Sequence, residues 1–385
     1  MFLLGFGHLR KKYAHGHCLL FRDAKQCYIP FMSFVFDGHN DVLLRLWMAG
    51  DLTGESFVTG ETGKARKGHV DLPRAREGGF AGGFFAIFIP PDKSANSTAN
   101  ANPRNSKQAA ETGFPALDHS YALRVASEQA SILLKLEEAG AVRIVRKAGD
   151  ISAARKDGRL AAIFHMEGAD AIGKDLCELD LFHAAGLRSL GPVWSRPTIF
   201  AHGVPFRFPS SPDTGPGLTE AGKHLVKRCN ELRILIDLSH LNEKGFWDVA
   251  RLSNAPLVAT HSNVHAICPA SRNLSEKQLD AIAESGGVVG LNFAVAFLRP
   301  DGAHRSDTSL DVLVRHLAHL VERLGEEGVA IGSDFDGAMI PRAIGDVAGL
   351  PTLVDAMREA GFGKPLIDKI CHRNWENVLK RTWEK

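Results

Sequence analysis

Phe34-Val-Phe-Asp-Gly-His-Asn-Asp41 opens as an apolar run and closes on residue types that ligate metals. Seven more short apolar runs follow, most of them β-branched or aromatic: Gly83–Ile89, Ala161–His165, Leu187–Val193, Ile234–Leu238, Leu257–Thr260, Gly287–Leu291 and Val329–Gly332. Unbroken apolar character over so few residues is what a parallel strand covered on both faces shows. Helical patterns lie between the runs. Ser120 to Ala139 is amphipathic and stops at Gly140; Ser275 with Gln278 has the spacing of a capping box opening a helix through Ile282; Asp311 to Leu324 repeats apolar residues at three and four before Gly325. Eight strand candidates with helical crossovers predict an α/β fold, a (β/α)8 TIM barrel. A doubly wound sheet competes, but no Gly-rich phosphate loop follows the first run.

Composition agrees with a protein that buries a large core. The chain has 385 residues, 44% hydrophobic and 23% charged, which excludes disorder and collagen-like repeats. Lys plus Arg total 46 against 44 for Asp plus Glu, so charge gives no reason to expect nucleic acid or an anionic membrane as partner. The longest strongly apolar stretch, Gly78 to Pro91, falls short of the roughly 20 residues needed to span a bilayer. Cys18, Cys27, Cys177, Cys229, Cys268 and Cys371 contain no CxxC spacing and read as thiols in a reducing, cytoplasmic setting. Residues 1–33 lack periodicity, and their apolar start precedes the basic residues, the reverse of a secretory signal. They are expected to be an N-terminal extension, with 34–385 a single domain.

Two segments break the rhythm. Pro90 to Gly113, rich in Asn, Ser, Ala and Pro, reads as a surface excursion. Ser195 to Gly217 follows the fourth run and mixes prolines with Phe200, Phe206 and Phe208. In a barrel it lies over the face that carries active sites, where three exposed rings together predict a lid or an oligomer contact.

Metal-binding types gather at the run ends. Alternation in an extended chain puts His39 and Asp41 on one face. His165-Met166-Glu167 ends the third run, Asp237-Leu-Ser-His240 the fifth, Thr260-His261-Ser262 the sixth and Ser333-Asp334-Phe335-Asp336-Gly337 the eighth. Any one of these also reads as a structural hydrogen-bonding group. Five on one face would bury carboxylates together without compensation, a cost that bound cations remove. Imidazoles and carboxylates without thiolate suit Zn²⁺, and also Mn²⁺, Co²⁺ or Ni²⁺. His39, Asp41, Glu167, His240 and His261 are too many for one catalytic zinc with an open position, and two ions bridged by a carboxylate accommodate them. His261-Ser-Asn-Val-His265 lacks the Glu of a zincin helix.

DGHND from Asp37, HMEGAD from His165, IDLSH from Ile236, ATHS from Ala259 followed by ASRN from Ala270, and GSDFDG from Gly332, in this order, resemble the membrane (renal-type) dipeptidases, peptidase family M19 of the amidohydrolase-like metal barrels. The resemblance runs from about Phe34 to near the C-terminus. It implies a (β/α)8 metal-dependent hydrolase with two zinc ions: His39 and Asp41 on the first, His240 and His261 on the second, Glu167 bridging. It implies Asp334 as the acid/base, with Asp336 as rival on strand parity, and Arg272 as the group that holds the substrate's terminal carboxylate. A water shared by two dications loses proton affinity, so hydroxide is available near neutral pH, and Asp334 would move its proton to the departing amine. The implied partner is a small free dipeptide, with a D-residue at its carboxyl end in reach, and a homodimer is compatible with the family.

Two departures touch the substrate contacts. Trp194 stands where mammalian-type members have a His after the fourth strand, and His202, in the same loop, is the candidate replacement. The stretch Asn292 to Phe297 has no hydroxyl where the mammalian type has a Tyr, leaving Asn292 as the polar contact. The reading is a zinc dipeptidase. Its rivals are another amide hydrolase on the same barrel, acting on N-acyl-amino acids or a β-lactam, and a metal-binding barrel without turnover.

Overall fold

The computed structural model describes residues 33–63, 68–92 and 113–384, and each of the eight apolar runs is a strand in it. The strands are β1 (Val35–Asn40), β2 (Phe80–Phe88), β3 (Val142–Ile144), β4 (Leu160–Glu167), β5 (Leu187–Gly191), β6 (Leu235–Ile236), β7 (Val258–Ser262), β8 (Val288–Leu291) and β9 (Val329–Ile331). All pair in parallel, in the order β6-β5-β4-β2-β1-β9-β8-β7. A bridge between Asp237 and Val258 closes the ring between β6 and β7, with Leu238 N–H donating to Val258 O at 2.8 Å. The chain is therefore a (β/α)8 barrel. Residues 1–32 of the expected extension and 93–112 of the expected excursion lie outside the described residues.

The sequence reading lacks β3, which pairs with β4 off the closed path. β2 takes one edge of β4 along its length, from Gly82↔Ala161 to Phe88↔Glu167. β3 and β5 divide the other edge, at Leu160–Ala162 and at Phe164–Glu167. Val-Arg-Ile is too short to carry a periodic signal.

The helices begin where side chains cap them. Asp118 accepts from Tyr121 N–H to open His119–Glu138, and Ser275 with Gln278 forms the expected capping box of Glu276–Glu284. Ser309 caps Leu310–Leu324, one residue earlier than the periodicity indicates. Among the described residues, no helix is long and apolar enough to cross a membrane.

Alternation along β4 separates two environments. Leu160, Ala162, Phe164 and Met166 join the large cluster between strands and helices, whereas Ala161 and Ile163 join the inner cluster with Phe36, Phe84, Val258, Val288 and Ala330. The helix Asn374–Trp383 contributes Trp375 to that inner cluster, where its Nε1–H donates to Ile331 O at 2.9 Å. His165 and Glu167 continue the inner parity towards the open end. The apolar floor thus ends where the polar residues start.

The barrel's centre is shaped by one irregular strand. Pairing of β7 with β8 shifts register between Ala259 and Ser262, and Thr260 turns its carbonyl onto three neighbours. A Cβ on Gly38, Gly290 or Gly332 would stand 2.2, 2.0 and 2.0 Å from Thr260 O. Those strands reach the carbonyl only because they lack side chains there.

Gly290→Ala and Gly332→Ala should each destabilise the fold by about 1–3 kcal/mol, because a methyl group would have to displace backbone. Gly149→Ala, in open space at a helix start, should stay within about 0.5 kcal/mol. Urea unfolding midpoints of the three variants check this, and equal midpoints would contradict the packing argument.

Candidate metal centre

Six side chains from different strand ends converge above the apolar floor. β1 carries His39 one residue before its end and leads into Asp41, β4 ends in Glu167, β7 carries His261, and the turns after β6 and β9 supply His240 and Asp334. Glu167 stands between two groups of donors. Its Oε1 lies 3.0 Å from His240 Nε2 and 3.4 Å from His261 Nε2, while its Oε2 lies 3.7 Å from His39 Nε2. His39 Nε2 is 3.6 Å from Asp41 Oδ2, and His240 Nε2 is 3.1 Å from His261 Nε2. Within the same cluster, ligand atoms of His39, Glu167 and His261, and of His39, Asp41 and Asp334, lie within 4.8 Å of one another.

The separations around His39 suit a metal ion better than hydrogen bonds, whereas His240 Nε2 is close enough to Glu167 and His261 for either. His39 is fully buried, and both carboxylate oxygens near its Nε2 are beyond hydrogen-bonding distance. Donors about 2.0–2.2 Å from a tetrahedral zinc stand about 3.3–3.6 Å apart, close to the 3.4 Å between His261 and Glu167 and to the 3.6 and 3.7 Å from His39 to Asp41 and Glu167. Electrostatics point the same way. Burial alone would push the His39 imidazolium down, but Glu167, Asp41 and Asp334 override it and raise its pKa to about 10. The surrounding carboxylates thus favour a positive charge at that position, which a dication supplies. His261 is held well below the usual imidazole range by burial and by His39 and Arg272, so its ring stays neutral and able to ligate.

Hydroxyl groups orient the imidazoles. Thr260 Oγ1–H donates to Asp237 Oδ2 at 2.6 Å, and a carboxylate can only accept. Thr260 Oγ1, 2.8 Å from His261 Nδ1, must then accept the ring's proton, leaving a lone pair on Nε2 towards Glu167. Ser195 Oγ meets His240 Nδ1 at 2.8 Å and turns its Nε2 to the same point. Asp237 also accepts from Thr260 N–H at 2.8 Å and Ser239 N–H at 3.0 Å. Below them Asp37 accepts from the Ser333 amide at 2.7 Å and hydroxyl at 2.8 Å, although burial still lifts its carboxyl to about 7. Ser195, Thr260, Asp237 and Asp37 received no role in the sequence reading. The acidic residue two or three places before a strand-end His was the available signal.

The backbone bends sharply where ligands are presented. His240, Asp334 and Asp336 have φ of 66°, 61° and 64°, a region that costs a non-glycine residue about 1–2 kcal/mol. The bend separates the two aspartates. Asp336 accepts from Arg45 Nε–H at 3.0 Å and from the His69 amide, and its own N–H donates to His69 Nδ1 at 2.9 Å. Asp334 faces the cluster, accepting from Asn292 Nδ2–H at 3.0 Å. Gly337 leaves the space: a Cβ there would stand 1.9 Å from Asp41 Oδ2 and 2.2 Å from Asp334 Oδ1.

The expected substrate residues fall into two groups. Arg272 is buried beside the cluster, with Nη1–H donating to Ser262 Oγ and Nη2–H to His261 O, both at 2.7 Å. Burial pulls its pKa to about 10 against the attraction of Asp334, Asp237 and Glu167. Trp194 is buried with its ring 5.8 Å from that of His240. His202 sits apart: its carbonyl accepts from Asn242 N–H at 3.2 Å, and no hydrogen bond, ion pair or ring contact joins its imidazole to the cluster among the described residues. The expected lid divides in the same way. Phe200 is fully buried, Phe206 packs 5.4 Å from Trp194, and Phe208 remains 39% exposed.

Comparison with known proteins agrees with this geometry. Residues 28–384 match the family model described as membrane dipeptidase (peptidase family M19). The crystal structure of a metallopeptidase from Rhodobacter sphaeroides, liganded with a phosphinate mimic of the dipeptide L-Ala-D-Ala, is 52% identical with a TM-score of 0.85, covering 91% of this chain and 99% of that one. A second crystal structure, of a dipeptidase AC described as a metallopeptidase of family M19, is 52% identical with a TM-score of 0.83, covering 92% and 100%. A Klebsiella pneumoniae protein, "Uncharacterized protein in pqqA 5'region", is 50% identical over 260 residues, 67% of this chain and 96% of that one.

Thr260→Val removes the acceptor that orients His261 while keeping the side chain's shape. Metal affinity, measured by chelator competition, should fall about 10–100-fold. Unchanged affinity would show that the ring is held by packing alone.

Proposed function

Because this chain belongs to the membrane dipeptidases of peptidase family M19, we propose that it is a two-zinc dipeptidase that cleaves free dipeptides, with Asp334 as acid/base. The observation that carries the reading is Glu167, whose two carboxylate oxygens face different imidazole sets in one buried cluster. His39 and Asp41 would hold one ion, His240 and His261 the other, and Glu167 both. When bound, divalent ions held by these residues would supply Lewis-acid polarisation of a carbonyl and a lowered pKa for a water.

The chain's own groups supply the remaining chemistry. Asp334 takes the proton of the attacking water and returns it to the departing amine. Asn292 donates to Asp334 Oδ2 and so fixes the carboxylate that would make that transfer. Arg272 selects a free carboxylate by a charge-assisted contact, and its two hydrogen bonds to Ser262 and to the His261 carbonyl hold the guanidinium at a set distance from the cluster. Anchoring one end of the substrate so close to the reacting carbonyl favours a dipeptide over a longer peptide. Trp194, Asn292 and His202 are the proposed side-chain contacts of the substrate, His202 from the same loop as Trp194 although its imidazole has no hydrogen bond, ion pair or ring contact with the cluster among the described residues. The L-Ala-D-Ala mimic held by the Rhodobacter sphaeroides enzyme supports acceptance of a D-residue at the carboxyl end.

Zinc-reconstituted protein should hydrolyse free dipeptides of both carboxyl-end configurations and lose that activity to a chelator. Asp334→Asn should lower kcat by about 10²–10⁴-fold. Silence across the panel from metallated protein would overturn the proposal and turn the search to blocked amides.

A further inference from the structure

Three aromatic rings run in contact from His240 to Arg272. Trp194 lies 5.8 Å from His240, Phe206 lies 5.4 Å from Trp194, Phe297 lies 5.3 Å from Phe206, and the Arg272 guanidinium stands 6.0 Å over Phe297. Trp194 is buried, but Phe206 and Phe297 keep partial exposure although they touch two of the innermost groups of the site. The two rings thus stand between the carboxylate anchor, over Phe297, and His240, whose ring lies 6.2 Å from that of Phe206.

Both rings are tied to the chain neighbours of Arg272. Ser271 Oγ–H donates to the carbonyls on either side of Phe206, those of Pro205 and Arg207, and Arg207 N–H donates back to Ser271 Oγ at 3.2 Å. Ser271 N–H closes the clamp on Arg207 O at 3.0 Å. On the other side, Asn273 Nδ2–H donates to Phe297 O at 2.8 Å, and Asn263 Nδ2–H to the same oxygen at 3.3 Å. The rings thus hold a set position relative to the guanidinium. A substrate residue whose carboxylate meets Arg272 must place its side chain along them.

We infer that Phe206 and Phe297 form the pocket for the carboxyl-terminal side chain of the substrate, and that the enzyme selects dipeptides whose carboxyl-terminal residue is apolar. This rests on the dipeptidase reading above. Ring faces exchange water for contact with an aliphatic or aromatic side chain and offer no hydrogen bond to a charged one, which would lose hydration without replacement.

The test is kcat/KM of the full-length, zinc-loaded enzyme on Ala-Leu, Ala-Phe, Ala-Asp and Ala-Lys, each with both configurations of the second residue. Leu and Phe should exceed Asp and Lys by about tenfold or more, chiefly through KM. Phe297→Ser should bring the ratio within about threefold, and Phe297→Leu should keep it. Phe206→Ser, on a partly buried position, gives the same readout if Phe297→Ser does not fold. Equal rates in the parent enzyme, a preference for the charged residues, or an unchanged ratio in both serine variants would overturn the pocket assignment. Hydrolysis of none of the peptides at either configuration would instead overturn the dipeptidase reading and the pocket with it.

Discussion

Three carboxylates and three imidazoles share one buried volume at the open end of the barrel, and that electrostatic constraint organises everything around it. Glu167 at its centre is within 3.7 Å of a nitrogen from each of His39, His240 and His261. Away from water such groups are costly unless their charges are matched. A proton drawn to His39 answers part of the demand, and the two dications proposed above would answer more of it, with Thr260 and Ser195 turning the Nε2 atoms of His261 and His240 inward.

Holding that arrangement requires departures from regular structure. β7 breaks register where His261 meets Glu167, and β1, β8 and the position after β9 carry glycine where the carbonyl of Thr260 approaches. His240 and Asp334 adopt a backbone conformation that side chains disfavour. Hydrogen bonds offset the strain: Val204 N–H donates to His240 O at 2.8 Å, and Asp334 N–H to His39 O at 3.0 Å. The second of these joins two of the clustered residues directly, so the turn that presents Asp334 is fastened to the strand that presents His39. Strain is concentrated where donors must point at one place, as expected of a preorganised site.

The same economy of parts extends to the substrate side. Arg272 donates to the carbonyl of His261, its preceding neighbour is clamped to the loop carrying Phe206, and its following neighbour to the segment carrying Phe297. On the proposed roles, charge recognition, side-chain recognition and ligand presentation would share one set of hydrogen bonds.

Much of this was legible in the sequence. Eight apolar runs located eight barrel strands because a strand buried on both faces needs local, unbroken apolar character. The donor types at the run ends were legible because metal chemistry depends on residue identity, and strand parity already set Glu167 beside His165. Other features arise only from contacts between distant residues. β3 is too short to announce itself. Asp336 could not be told from Asp334 by parity, because the distinction is made by Arg45, 291 positions away, and by His69. The tautomer of His261 follows from Asp237, on another strand, acting through Thr260. The sequence by itself determined which strands form and which donors they carry, since both are properties of short segments. Tertiary structure alone decided which donors meet, in which protonation state, and against which aromatic wall, since those depend on packing and hydrogen bonds that exist only once the barrel is closed.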